Sequence, residues 1–427
     1  MADCEILRNK LKEGAYDERL KYIYASDNSE KFAQRYINLL NGFEEIFGNN
    51  DNIRLFSAPG RTEIGGNHTD HQHGCVLAAS VNLDVIAAVS VNESGKIRVK
   101  SEGYDMDVID LSDLSVKEEN FNRASELIRG VAAKFTEMGY KITGFDAYTT
   151  SNVLKGSGLS SSAAFEVIIG TIINTLFANS AISPVEIAQI GQYAENVYFG
   201  KPCGLMDQMA SAVGGIIAID FNDTDKPIVE KIDYDFTKAK HALCIIDSGA
   251  DHADLTDEYA SIPEEMKKAA KYFGKEYLRE VSKEEFLSDA QGVRKSAGDR
   301  AFLRAMHFFA DNANAQIEAD MLKKNDFDGF LNIVKKSGYS SFMYLQNIYA
   351  SRMPDNQAVS AALCAAADIL GERGAYRVHG GGFAGTIQAF VPLDMLDSFV
   401  NGIENVVGKD MCHILSIRPE GGIEINA

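Results

Sequence analysis

The chain has 427 residues, enough for two domains that each bury an apolar interior, and its 45% hydrophobic and 24% charged content is that of a folded globular protein. Its formal charge of −19 excludes a general nucleic-acid or anionic-membrane binder, which needs a basic face, but leaves room for one anionic ligand held by a local cluster. Cys4, Cys75, Cys203, Cys244, Cys364 and Cys412 are scattered without a CxxC pair and read as reduced thiols. The charged start lacks the apolar core of a signal peptide, and no run approaches the roughly 18 apolar residues that span a bilayer, so a cytoplasmic location is expected.

In chain order, "KFAQRYINLLNGFEEIFG" puts Phe32, Tyr36, Leu39, Leu40 and Phe43 on one helical stripe, which predicts core packing. "IRLFSAPG" reads as a short strand entering a turn. "GCVLAASVNLDVIAAVSVNESGKIRVKS" reads as strands broken at Asn-Glu-Ser-Gly, and "GFDAYTTSNV" as a further apolar run before the Gly/Ser-rich "LKGSGLSSSAA". "FEVIIGTIINTLFAN" predicts a buried helix. The next helix carries its own start signal, Ser183 as N-cap, Pro184 at the first position and Glu186 completing a capping box, and is expected to reach about Tyr198 and stop at Gly200. "HALCIIDSG" reads as a strand, residues from about Tyr259 to Leu370 as long helices, and "GTIQAFVP" and "CHILSIRPEGGIEI" as closing strands. Strands and helices mix in both halves without regular βαβ alternation, so an α+β protein of two domains is expected, 1–220 and 221–427.

Three segments carry chemistry. In "GSGLSSSAAFEV", Gly156 and Gly158 permit close backbone approach and serines follow at a helix N-terminus, where free N–H groups and the helix dipole favour an anion. The Gly-Lys-Ser/Thr ending of a Walker A loop is absent. "VHGGGFAG", His379 to Gly385, is a second glycine-rich turn. In "AENVYFGKPCGLMDQMAS", Glu195 falls at the edge of a helix's apolar stripe and can look into a cleft, while Asp207 follows the helix break at Gly200 and Pro202. The plainer readings are a solvated helix flank for Glu195 and a helix cap for Asp207. "GRTEIGGNHTDHQHG" has the composition of a metal site in His68, Asp70, His71 and His73, whereas Arg61 and the glycines suit an anion or a polar small molecule.

Together, these motifs in this order resemble the galactokinases of the GHMP kinase superfamily, over most of the chain from about Lys31. "PGRTEIGGNHTDHQHGCVLAASV" is similar to the signature Pro-Gly-Arg-Val-Asn-Leu-Ile-Gly-Glu-His-Thr-Asp-Tyr, "GSGLSSSAAFEV" to the family's phosphate loop, "CGLMDQMAS" to its Cys-Gly-Ile-Met-Asp-Gln segment and "VHGGGFAGT" to its Gly-Gly-Gly-Phe-Gly-Gly motif. The resemblance implies a two-domain GHMP kinase fold with mixed sheets and packed helices, an active site in the cleft between domains, and transfer of the γ-phosphoryl group of MgATP to the anomeric hydroxyl of galactose or a close relative. It implies Asp207 and Arg61 as catalytic residues. Gly156, Ser157, Gly158, Leu159, Ser160, Ser161 and Ser162 would bind ATP, and Ser162 and Glu195 would bind Mg²⁺. Asn67, His68, Asp70, Gly204 and Tyr259 would meet the sugar, and His71 and His73 would be structural or peripheral. Partners are a small sugar and ATP, with no nucleic acid or membrane, and a monomer is expected.

Several positions depart from the pattern. Asn67 replaces a glutamate expected at the sugar's primary hydroxyl, "EYASIPEEMKK" lacks an Arg-rich continuation after Tyr259, Leu154 stands where a proline is common, and "SSFMYLQNI" replaces a more acidic segment. Kinase chemistry is therefore expected more firmly than galactose specificity. The alternatives are a non-catalytic galactose/ATP sensor and a GHMP kinase for another sugar or for an alcohol such as mevalonate.

Overall fold

The computed structural model describes residues 3–48, 50–154, 158–250 and 255–426. Among them twelve strands form two sheets: β1 (Arg54–Gly65), β2 (Cys75–Val91), β3 (Lys96–Ser101), β4 (Met106–Asp110), β5 (Phe145–Ser151), β6 (Ile216–Asp220), β7 (Ile228–Ile232), β8 (His241–Asp247), β9 (Ala375–Val378), β10 (Thr386–Pro392), β11 (Cys412–Leu415) and β12 (Ile423–Glu424). The larger sheet runs β12-β1-β2-β5-β3-β4, with β6 joining β2 and β7 joining β6; the smaller runs β11-β8-β10-β9. Among the described residues only β3 and β5 pair in parallel, so both sheets are built mainly from antiparallel neighbours and the fold is α+β, as expected.

Why β2 reads as a nearly unbroken apolar run follows from its surroundings. Helices Ala124–Glu137, Ser161–Phe177, Pro184–Tyr193 and Met206–Val213 contribute to one apolar cluster with the sheet. The N-terminal helices form another with Leu55, Ile86 and Ala88, which buries the predicted stripe of Phe32, Tyr36, Leu39, Leu40 and Phe43. A strand covered on both faces has no polar side to alternate with. Around the smaller sheet, helices Ala358–Leu370 and Leu396–Val407 supply Val359, Ala362, Phe399 and Ile403 to a separate cluster.

One expectation is corrected. The strand from "IRLFSAPG" does not turn at Pro59–Gly60; β1 continues to Gly65, and its register against β2 shifts between Pro59 and Arg61 and again between Glu63 and Gly65. Such irregularities accommodate a proline and re-aim side chains, here around Arg61 and Glu63. The division near residue 220 would cut the β6–β7 hairpin, whose strands pair from Ile216↔Ile232 to Asp220↔Ile228. The chain leaves the larger sheet only after Ile232, and β12 returns to it from the C-terminus.

Candidate active site

The capping box forms: Ser183 Oγ accepts from the Glu186 N–H, and the Glu186 carboxylate accepts from the Ser183 N–H. Its helix runs from Pro184 to Tyr193 and then widens into a π-turn, Ala194–Phe199, that ends at left-handed Gly200. π-Turns cost hydrogen-bond quality and recur at functional sites. This one carries Glu195, buried to 3% exposure, toward the N-terminus of helix Ser161–Phe177.

Arg61 joins the segments that the sequence motifs singled out. Its Nε donates to Asp207 Oδ1 at 2.6 Å, its Nη1 donates to the Gly158 carbonyl, and its backbone N–H donates to the Leu159 carbonyl at 3.0 Å. Gly158 has φ +69°, and a Cβ there would lie 3.1 Å from His379 Nδ1, so the loop meets the second glycine-rich turn where a side chain would crowd it. Ser160, left-handed at φ 54°, precedes the helix and hydrogen-bonds Asp207. Ser161 opens the helix. Gly156 and Ser157 lie outside the described residues. Burial would raise the Asp207 carboxyl, but the Arg61 guanidinium and the Ser160 hydroxyl outweigh it and hold the group below its ordinary range. Asp207 occupies the first turn of Met206–Val213 and its side chain keeps 31% exposure, so the carboxylate is both ionised and reachable.

Beside this pair lies a second acidic group. Ser162 Oγ donates to Glu195 Oε1 at 3.4 Å, and Gln208 Nε2 bridges Glu195 Oε2 and Glu166 Oε2 at 2.9 Å each. Lys201 Nζ stands 3.7 Å from Glu195. Burial, reinforced by the Glu195 charge, pushes the Glu166 carboxyl well up, and its Oε1 has no partner among the described residues. The sequence reading overlooked Glu166 and Gln208. The available signal was a lone carboxylate one helical turn after Ser162 in an otherwise apolar run.

The His68–Asp70 turn faces the glycine-rich turn from the other side. His68 Nε2 is 3.1 Å from the Gly381 carbonyl, and burial with the neighbouring His71 pushes its imidazole down to about 3. The ring is therefore neutral, with Nε2 as donor. Asp70 Oδ1 accepts from the His71 N–H at 2.9 Å, while its Oδ2 points at Gly204, where a Cβ would sit only 2.0 Å away. Tyr259 donates to the Gly382 carbonyl at 2.9 Å and packs edge-on against Phe383. His73 stacks on Tyr277 with ring centroids 3.8 Å apart. Among the described residues, no group of three or more His, Cys, Asp or Glu side chains could hold a metal ion.

Asn67 is a correction. Expected at the sugar, it is fully buried: Nδ2 donates to Glu63 Oε1 at 2.9 Å and to the Gly380 carbonyl at 2.7 Å, and Oδ1 accepts from Asn347 Nδ2 at 2.9 Å and Ser341 Oγ at 3.3 Å. An amide with two donors and two lone pairs engaged has nothing left for a ligand. Apart from Glu63, its side-chain partners lie far along the chain, which is why the motif alone misleads.

The family models for the GHMP kinases N terminal domain and the galactokinase galactose-binding signature match residues 126–215 and 41–91. A galactokinase of Glaesserella parasuis serovar 5 (strain SH0165) is 32% identical over 367 residues, covering 83% of this chain and 89% of that one. One of Actinobacillus pleuropneumoniae is 33% identical over 343 residues, covering 78% and 84%. The fold is similar to the crystal structure of Lactococcus lactis galactokinase complexed with galactose, with a TM-score of 0.77 and 24% identity over 90% of this chain and 98% of that one. The chain belongs to the galactokinase family of the GHMP kinases.

Proposed function

We propose that this chain transfers the γ-phosphoryl group of ATP to the anomeric hydroxyl of galactose or a close relative. The observation that carries the proposal is the Arg61–Asp207 ion pair, tied to the Gly158 carbonyl and set between the serine-rich helix start and the His68–Asp70 turn. Phosphoryl transfer passes through a loose, highly charged transition state, so alignment and charge stabilisation dominate. The helix start at Ser161 and Ser162 would receive the phosphates on its free N–H groups. The attacking hydroxyl would lie against Asp207. As its oxygen bonds to the γ-phosphorus, the bond to the β–γ bridging oxygen breaks, ADP departs, and the hydroxyl proton passes to the carboxylate.

A carboxylate held below its usual range is a weak base, which suits orienting the hydroxyl and accepting its proton late. Arg61 would offset charge on the transferring group. His68 and Asp70 would bind sugar hydroxyls, with Gly204 leaving room for Asp70. Ser162 and Glu195 supply hard oxygens of the kind Mg²⁺ takes. When bound, the ion would neutralise phosphate charge.

Release of ADP in a coupled assay across hexoses and amino-hexoses tests the reading. Galactose is expected to give the highest kcat/KM. Asp207→Asn, nearly constant in volume, should lower kcat on the order of 10²-fold with little change in thermal midpoint. Near-normal turnover in that variant would remove Asp207 from the chemistry.

A further inference from the structure

Two carboxylates and an amide meet in the dry region beneath the sugar turn. Besides accepting from Asn67, Glu63 Oε1 accepts from Arg377 Nη2 at 2.5 Å, and Arg377 Nη1 donates to the Ile64 carbonyl at 2.7 Å. The backbone of Asn67 is held as firmly as its side chain: its N–H donates to Asp311 Oδ2 at 2.7 Å, and its carbonyl accepts from His307 Nε2 at 2.9 Å. Asn347 extends the network, since its Nδ2 also reaches the Gly381 carbonyl at 3.2 Å and its own carbonyl accepts the Phe383 N–H at 2.5 Å.

Set residue by residue against Pro59 to His68, the galactokinase signature has an asparagine opposite Glu63 and a glutamate opposite Asn67. In this chain the amide and the carboxylate have changed places, and here the two side chains are hydrogen-bonded to each other. The exchange has a physical reason on each side. The Arg377 guanidinium, fully buried, needs the charge at position 63. The Gly380 carbonyl and Glu63 Oε1 both need a donor from position 67, which a carboxylate lacks. Ser341 and Asn347, in the other segment that departs from the family pattern, donate to the Asn67 oxygen. The two departures are therefore one connected feature.

We propose that Asn67 is a positioning residue and not a sugar ligand: its amide clamps the His68–Asp70 turn to the Gly380–Gly382 turn and to Ser341–Asn347, fixing the two walls of the sugar site. The proposal rests on the sugar-kinase reading above. Sugar discrimination then lies with residues that the clamp orients, His68 and Asp70 first.

The test is a swap. Asn67→Glu, the residue of the family signature, sets a second carboxylate against Glu63 and the Gly380 carbonyl. It should raise the galactose KM on the order of 10²-fold, the scale of an ångström-sized misplacement, with the ATP KM within about twofold. Adding Glu63→Asn removes the facing carboxylate but leaves the buried Arg377 without its charge at position 63 and the Gly380 carbonyl without its donor, so the double variant should stay well short of wild type. An unchanged or lowered galactose KM in Asn67→Glu would restore the sugar-contact role and overturn the proposal. So would a double variant with the wild-type galactose KM. Asn67→Ser, which removes the donors without adding charge, provides a readout that needs no turnover. Amide exchange at Gly380–Phe383 should accelerate by about tenfold or more, and unchanged exchange there overturns the clamp. If wild type phosphorylates no hexose, the functional reading fails and the exchange result alone decides the clamp.

Discussion

Gly204→Ala is a substitution that should damage the sugar site without unfolding it. Gly204 is outside the left-handed region, so alanine meets no backbone strain there. What its Cβ meets is Asp70, with Oδ2 at 2.0 Å and Cγ at 3.0 Å. Ordinary carbon–oxygen contact begins about 3.4 Å apart, so the carboxylate must retreat by roughly 1.4 Å. Asp70 is anchored through Oδ1 to the His71 N–H, and that anchor converts the retreat into a rotation away from the pocket. A displacement of about 1 Å at a positioning group costs on the order of 10²-fold in rate, or about 2.7 kcal/mol of transition-state stabilisation. The loss of folding stability should stay within about 1 kcal/mol, because a side-chain end moves and no core atom does. Steady-state kinetics with galactose varied at saturating ATP, then the reverse, should show the fall in kcat/KM for the sugar with the ATP KM unchanged. A sugar kcat/KM within about threefold of wild type would refute the placement of Asp70 in the pocket.

Glu195→Gln keeps shape but gives a neutral, weaker ligand, so the apparent Mg²⁺ affinity should fall and excess Mg²⁺ should partly restore rate; an unchanged Mg²⁺ dependence would count against Ser162 and Glu195 as its holders. The chain should also lose stability in acid through its buried neutral histidines. Burial holds His68 at about 3 against 6.5 when free, and lowers His307 and His379 as well. The unfolded imidazoles take protons near pH 6.5 that the folded ones refuse, so their contribution is complete above that pH and declines as pH falls toward 3. Denaturant unfolding at pH 7 and pH 5 should show a smaller loss for His68→Asn than for wild type, and equal losses would contradict the neutral assignment.

Local rules made some of this visible in the sequence. The capping box at Ser183, the helical stripe from Phe32 to Phe43 and the turn-forming break after Phe199 depend on residues within one or two turns of each other, and all three are where the residues imply. The motif order likewise pointed to the family. What stayed hidden is long-range. Asn67 reads as a pocket residue because its neighbours His68 and Asp70 do; the partners that bury it are His307, Asp311, Ser341, Asn347 and Gly380, at least 240 positions away. Glu166 was hidden for the opposite reason: an apolar helix masks a single carboxylate whose partner Gln208 comes 42 residues later. The expected boundary near 220 falls within the β6–β7 hairpin, a pairing that composition does not reveal.

³¹P NMR of the reaction mixture reads directly which bond is made. With galactose, ATP and Mg²⁺, wild type should yield a sugar phosphate whose phosphorus couples to the single anomeric proton, together with an equal amount of ADP, and Asp207→Asn should yield it far more slowly. Coupling to a methylene pair would mean transfer to the primary hydroxyl, and ADP with inorganic phosphate alone would mean hydrolysis. Either result would contradict an anomeric kinase built on Arg61 and Asp207.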